Sequence, residues 1–280
     1  MQSAMKGAWA LAFLKAVSAQ VATSFEEDSG TTRAVLTKAR TKQTYYVDES
    51  LPGHTLFHPQ NLGDFDSIPV VVWGNGACAA DPVGGHGPFL EELAAWGILV
   101  IASGTPGGQG GTSPEMMTAA IDWAVQNAGQ GNWANIDSSN IAAAGMSCGG
   151  TEAYAQNQDP RVTAFGIFNS GTLDPGQTDA TLGAINVPIF FFLGGPSDIA
   201  YENGMRDYAA VNQGVPSWVG NLDVGHGGTY LDPRGGAFGK AAQQYFRWVL
   251  RGDDSEAGYF TNGGAEGDGW YTESKDLGNI

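Results

Sequence analysis

Short, almost unbroken apolar runs alternate along the chain with longer segments whose apolar residues recur at helical spacing. Ile68–Trp73 (I-P-V-V-V-W), Ile98–Ser103, Ile141–Ala144, Ala164–Asn169 and Val187–Leu193 are apolar at nearly every position. A strand carries such a run when both of its faces are covered. Between these runs the pattern predicts helices over Pro88–Trp96 and Pro114–Asn127, and a last helix over Ala237–Leu250 with Phe246, Val249 and Leu250 on one face. Strands alternating with helices predict an α/β fold, a mostly parallel central sheet with helices on both faces. His54–Asn61 predicts an edge strand that stops at Pro59, because proline cannot donate to a ladder. Residues 104–112 are glycine-rich and read as a loop, and no internal repeat is present.

Composition narrows this picture. No shift in composition and no linker divides the 280 residues, so a single domain is expected over residues 20–280. The 42 glycines lack a three-residue period and are interleaved with 8 Trp and 13 Phe, which predicts tight loops around a true core. A balance of 13 basic against 29 acidic residues, −16 in all, repels phosphate backbones and argues against nucleic acid as a partner. No later stretch reaches the length of a membrane span. Near the N-terminus, Lys6 precedes the apolar run Gly7–Leu14, and Val17 and Ala19 suit signal peptidase. Residues 1–19 therefore read as a secretory signal, with a mature, extracellular chain from about Gln20. An amphipathic N-terminal helix is the competing reading, and a monomer is expected.

One segment carries chemistry. I-A-A-A-G-M-S-C-G-G-T-E-A-Y (Ile141–Tyr154) is a strand-like run, then Gly-x-Ser-x-Gly, then a helix-compatible stretch. A sharp strand-to-helix turn of this kind lifts a serine hydroxyl, here Ser147, clear of a sheet. In so glycine-rich a chain the pentapeptide alone says little, and context must support it. A serine becomes nucleophilic when a histidine takes its proton, and the imidazolium needs a carboxylate behind it. Both follow in order: Asp198 in F-F-F-L-G-G-P-S-D and His226 in D-V-G-H-G-G. Asp174, after the preceding strand, and Asp223, three residues before the histidine, are alternative acids.

A tetrahedral intermediate needs two N–H donors for its oxyanion. One is expected from Cys148, the residue after the nucleophile. The other is expected from the loop in V-V-V-W-G-N-G-A-C (Val70–Cys78), at Ala77, with Gly76 as the neighbouring option and a contact for the bound ester. The two cysteines, Cys78 and Cys148, fall in the two segments that would build this site. A disulfide between them would clamp the donors, if their Cα atoms lie within about 7 Å; two small buried thiols are the alternative. His54, His58 and His86 show no metal spacing, so no metal is expected. No glycine cluster has the pattern of a phosphate loop or a dinucleotide fingerprint, and no cofactor is expected.

With these residues in place, the chain resembles the α/β-hydrolase superfamily across roughly residues 50–255. H-T-L-F-H-P, V-V-V-W-G-N-G-A, G-M-S-C-G-G and V-G-H-G-G look like secreted serine esterases, in particular cutinase-like polyester hydrolases and the dienelactone-hydrolase-like branch. The resemblance implies a Ser147–Asp198–His226 triad, with Ala77 and Cys148 as oxyanion donors. The chain departs from polyester hydrolases in carrying Cys148 where Met is usual, and in having no Trp in F-N-S-G-T-L-D or cysteine in its tail. Only residues 170–186 separate two expected strands where caps are commonly inserted, so no large cap domain is expected. An open groove for bulky or polymeric esters follows. Tyr201 and Tyr230 are placed to line it, with core packing as the equal alternative. The expected function is a carboxylic-ester hydrolase, against two rivals: another reaction on the same scaffold (lyase, acyltransferase or peptidase), or a non-catalytic binding protein. The tail holds G-W-Y-T-E-S-K, a candidate closing strand.

Overall fold

In the computed structural model, residues 40–280 are described; the expected secretory segment and the start of the domain at residue 20 lie outside the described residues. In chain order the strands are β1 (Gln43–Tyr46), β2 (His54–Pro59), β3 (Ile68–Gly74), β4 (Leu99–Ser103), β5 (Ile136–Met146), β6 (Val162–Phe168), β7 (Ile189–Leu193), β8 (Ser217–Asn221) and β9 (Tyr271–Lys275). The principal helices are α1 (Pro82–Ala95), α2 (Pro114–Asn127), α3 (Cys148–Tyr154), α4 (Thr178–Gly183), α5 (Tyr201–Ala210) and α6 (Gly236–Arg251).

All nine strands form one sheet in the order β1-β2-β4-β3-β5-β6-β7-β8-β9. The strands from β4 to β8 run parallel, while β1, β2 and β9 pair antiparallel with their neighbours. The expected α/β class and the doubly covered sheet are therefore present. Successive residues of the buried strands feed two cores: Val70, Val72, Leu99, Ile101 and Phe191 point to one face, and Val71, Trp73, Val100, Phe190 and Phe192 to the other. Met117, Ile121 and Trp123 of α2 cover the first face, and Phe89 and Leu93 of α1 with Tyr245 and Phe246 of α6 cover the second. Each large apolar side chain so enclosed contributes about 1.5–3 kcal/mol.

Two expectations need correction. His54–Pro59 is not an edge strand, because β1 pairs outside it through Gln43 opposite Pro59 and Tyr46 opposite Leu56. Helix α1 starts at Pro82, six residues before Pro88, which lies inside it. The run of Gly84, Gly85 and Gly87 has low helix propensity, yet the Asp81 side chain accepts from the Gly84 N–H and Pro82 presets the first turn. Two further strands, β1 and β8, lie where the apolar pattern predicts none. The candidate closing strand in the tail is β9, paired with β8 through Ser217 opposite Lys275. Between β6 and β7 lie only a single 3₁₀ turn, Pro175–Gln177, and the six-residue α4. Among the described residues no helix is long and apolar enough to cross a membrane.

Candidate active site

The site is assembled where β3, β5, β6 and β7 end. Strand β5 stops at Met146 and α3 begins at Cys148, so Ser147 occupies the turn between them, with φ 53° and ψ −118°. That region is costly for a residue with a Cβ and persists only where the surroundings impose it. Here they do so by contact. A Cβ on Gly145 would lie 2.2 Å from the Gly149 carbonyl oxygen, and one on Gly149 would lie 2.1 Å from Gly74 at the end of β3. The two glycines of the pentapeptide thus let the turn sit directly against β3. Ser170, after β6, donates from its hydroxyl to the Ser147 carbonyl at 2.7 Å and ties the turn down from the other side.

His226 lies on the loop after β8, and its Nε2 is 2.9 Å from Ser147 Oγ. Its Nδ1 is 2.6 Å from Asp198 Oδ1. This geometry requires the tautomer with the proton on Nδ1, donated to the carboxylate, and a bare Nε2 facing the hydroxyl. The Asp198 side chain is wholly buried while that of His226 is 26% exposed. Burial by itself raises a carboxyl pKa; N–H groups of Ala200 and Gly194, the Asn169 amide and His226 all donate to Asp198 and together hold it below the usual carboxylate range. Of the other two acids, Asp174 caps the turn after it through the Gly176 N–H, and Asp223 accepts from Ser197 Oγ at 3.2 Å; both are exposed. Neither bonds to His226, so the structure brings Asp198 to the histidine.

The loop after β3 carries Ala77 and Cys78 at φ 55° and 48°. It is organised from inside by Asn75, 1% exposed, whose Nδ2 donates to the Ala79 carbonyl at 2.8 Å and the Ser103 carbonyl at 2.6 Å. Cys78 and Cys148 form a disulfide with Cα atoms 5.2 Å apart. The backbone N–H groups of Ala77 and Cys148 take no hydrogen-bond partner among the described residues, although those of Cys78 and Ala79 are satisfied by Asn75 and Gly76. Two unpaired donors on segments joined by a covalent bond are what an oxyanion needs. Gly76 is packed more tightly than expected, since a Cβ there would lie 2.6 Å from Met146 Sδ.

A cavity of about 240 Å³ opens beside the serine and is lined by Ser147, Cys148, Ser170, Leu173, Ile199 and His226, among others. Larger cavities of about 390 and 380 Å³ hold neither Ser147 nor His226, so the smaller one is the cavity that reaches the serine–histidine pair. The larger of the two shares Leu173 with the serine cavity and continues over Thr151 and Asp174. Leu173 and Ile199 are 78% and 81% exposed. The two tyrosines expected at the groove are elsewhere. Tyr230 is 2% exposed and its hydroxyl donates to Asn169 Oδ1, because its ring packs edge-on against His86, Phe89 and Phe238 in the core. Tyr201 lines the separate 380 Å³ cavity with Met205 and Tyr271, since it starts α5 and turns its ring to the core beneath.

Sequence reasoning missed Asn169, Asn75, Leu173 and Ile199. An Asn at the end of a buried strand is a weak signal for a left-handed backbone, and Asn169 has φ 43°; nothing in the pattern says that it faces Asp198. Among the described residues no group of three or more His, Cys, Asp or Glu is placed to hold a metal ion. No protein-family model matches the chain, and a search of curated proteins finds no match to it.

Proposed function

We propose that the protein is a serine carboxylic-ester hydrolase of the α/β-hydrolase type, secreted and independent of a cofactor. The observation that carries this reading is the unbroken line from Ser147 Oγ to His226 Nε2, 2.9 Å, and from His226 Nδ1 to Asp198, 2.6 Å. His226 takes the Ser147 proton as Oγ attacks the ester carbonyl, and the buried carboxylate stabilises the imidazolium. The unpaired N–H groups of Ala77 and Cys148 receive the oxyanion, each worth about 3 kcal/mol in the transition state. His226 returns the proton to the leaving alkoxide, which leaves Ser147 acylated. Water, deprotonated by the same histidine, then releases the acid. A disulfide between Cys78 and Cys148 fits an oxidising, extracellular location. The exposed apolar side chains of Leu173 and Ile199 beside the serine suit a bulky or polymeric ester approaching an open groove.

The test is intact-mass analysis after treatment with a fluorophosphonate, on the wild type and on Ser147→Ala, with a p-nitrophenyl ester series from acetyl to decanoyl alongside. One adduct, absent in Ser147→Ala, together with steady turnover of the esters, is expected. Labelling with an acylation burst and no turnover in water would point to acyl transfer. No adduct on folded protein would remove the serine-hydrolase reading.

A further inference from the structure

We propose that Asn169 is a positioning residue for the Asp198–His226 pair, and that Tyr230 holds it in the one orientation that works. This inference rests on the hydrolase reading above. Asn169 is wholly buried just past the end of β6, with φ 43° and its backbone N–H on the Phe192 carbonyl at 2.7 Å. Its side chain spans three groups. Nδ2 donates to Asp198 Oδ2 at 2.7 Å and to the Gly225 carbonyl at 3.4 Å, and Oδ1 accepts from the Tyr230 hydroxyl.

The two ends of an amide are nearly the same shape, so hydrogen bonding alone decides which faces the carboxylate. The Asp198 carboxylate and the Gly225 carbonyl, which can only accept, require Nδ2, and the Tyr230 hydroxyl anchors the opposite end. Burial first, and then the Asp198 charge, push its pKa well above the ordinary tyrosine value, so the phenol remains a donor at any working pH. A donor there demands Oδ1, which leaves Nδ2 for Asp198. The Asp198 Oδ2 then takes Asn169 Nδ2 and the Gly194 N–H, while Oδ1 takes the Ala200 N–H and His226. A carboxylate engaged on both oxygens cannot rotate, and Oδ1 stays aligned with the imidazole. The charged and titratable groups around this array are few: Asp198 itself, His226 from the loop after β8, Tyr230 ahead of α6, and His86 of α1, whose ring lies 5.1 Å from that of Tyr230. Asp223 lies on the adjacent exposed turn, bonded to Ser197.

Tyr230→Phe keeps the ring contacts and removes only the hydroxyl. Asn169 Oδ1 is then buried without a donor, and the amide loses the bond that anchors the end opposite Asp198. We expect kcat to fall about 10-fold, the equivalent of one buried hydrogen bond to a charged network, with KM within about twofold. With the Asn169 Nδ2 bond to Asp198 loosened, the carboxylate holds the imidazolium more tightly, so the acid limb of kcat/KM should move to higher pH. Asn169→Asp, which replaces a donor to Asp198 Oδ2 with a second carboxylate, should move that limb further in the same direction where both carboxyls are ionised, because the added negative charge favours the imidazolium. The low-field NMR resonance of the His226 Nδ1 proton, which follows the length of its bond to Asp198, should shift in both variants whether or not the ester is turned over. Wild-type pH limbs and an unshifted resonance in a folded Tyr230→Phe variant that still labels at Ser147 would overturn the proposal. Failure of the wild type to label at Ser147 would overturn the hydrolase reading and this inference with it.

Discussion

Cys78 and Cys148 are joined by a disulfide whose Cα atoms lie 5.2 Å apart, and each stands beside a candidate site residue: Cys78 follows Ala77, and Cys148 follows Ser147. The bond therefore ties the loop after β3 to the start of α3, the two backbone segments whose unpaired N–H groups the esterase reading assigns to the oxyanion. The bridged cysteines are 70 residues apart in sequence. A loop of that length, closed in the unfolded chain, is worth about 4 kcal/mol in the chain-entropy model.

Reduction, or the double substitution Cys78→Ser with Cys148→Ser, is expected to lower the unfolding free energy by a few kcal/mol. Under the esterase reading it should also lower kcat more than it raises KM, because loosened donors are lost mainly to the transition state. Urea denaturation and ester kinetics, with and without reductant, check both parts.

Gly145 and Gly149 carry no side chain because backbone occupies the space one would need. Gly145→Ala would set a Cβ 2.2 Å from the Gly149 carbonyl oxygen, and Gly149→Ala would set one 2.1 Å from Gly74. Neither neighbour is the end of a flexible side chain. Each substitution is expected to cost about 3 kcal/mol and to displace Ser147. Thermal unfolding beside fluorophosphonate labelling would show the two losses together, and a variant with wild-type Tm would refute the close packing.

His86 is 4% exposed, packed against the rings of Trp73 and Tyr230, with Nδ1 unpartnered. Burial pushes its pKa down to about 4. An unfolded histidine takes up a proton near pH 6.5, whereas the folded one resists until about 4, so the unfolded state binds more protons in that window. Stability should therefore fall as pH drops from about 6.5 to 4, by about 3 kcal/mol from this residue. His86→Phe should flatten that slope. Buried His54 and His58, also shifted down by burial, leave a residue of it. Below that window a second loss follows as Asp198, whose folded pKa is depressed, is protonated. Urea unfolding at pH 7, 5.5 and 4.5 measures the difference.

Leu173 and Ile199 flank the serine cavity while remaining mostly in solvent. Leu173→Ser and Ile199→Ser should leave stability within about 0.5 kcal/mol, as exposed substitutions do. If the two side chains meet an apolar acyl or polymer chain, kcat/KM for decanoyl esters should fall about 10-fold while acetyl esters are unchanged. An equal effect on both ends of the series would show that neither residue contacts the chain.

How much of this was legible beforehand depends on the range of the interaction. Unbroken apolar runs such as Val70–Trp73 and Phe190–Leu193 identify strands buried on both faces, because covering both faces removes any need for polar alternation. The glycines around Ser147 and the order serine, acid, histidine are likewise local in the chain, so the candidate triad could be read from spacing. The start of α1 could not: three glycines hide a helix whose Asp81 cap and surrounding core stabilise it.

The sequence by itself determined the strand and helix alternation, the turn that carries Ser147, and the short list of partners it could meet. Tertiary structure decided which carboxylate reaches His226, that Cys78 and Cys148 are bonded, that Tyr230 faces inward to Asn169, and that Leu173 and Ile199 stand at the serine cavity. The reason is physical. Strand and turn preferences depend on a residue and its near neighbours, whereas Asn169 and Asp198 are 29 positions apart and Asn169 and Tyr230 are 61. Their meeting is set by how β6, β7 and the loop after β8 lie side by side, which no local pattern encodes.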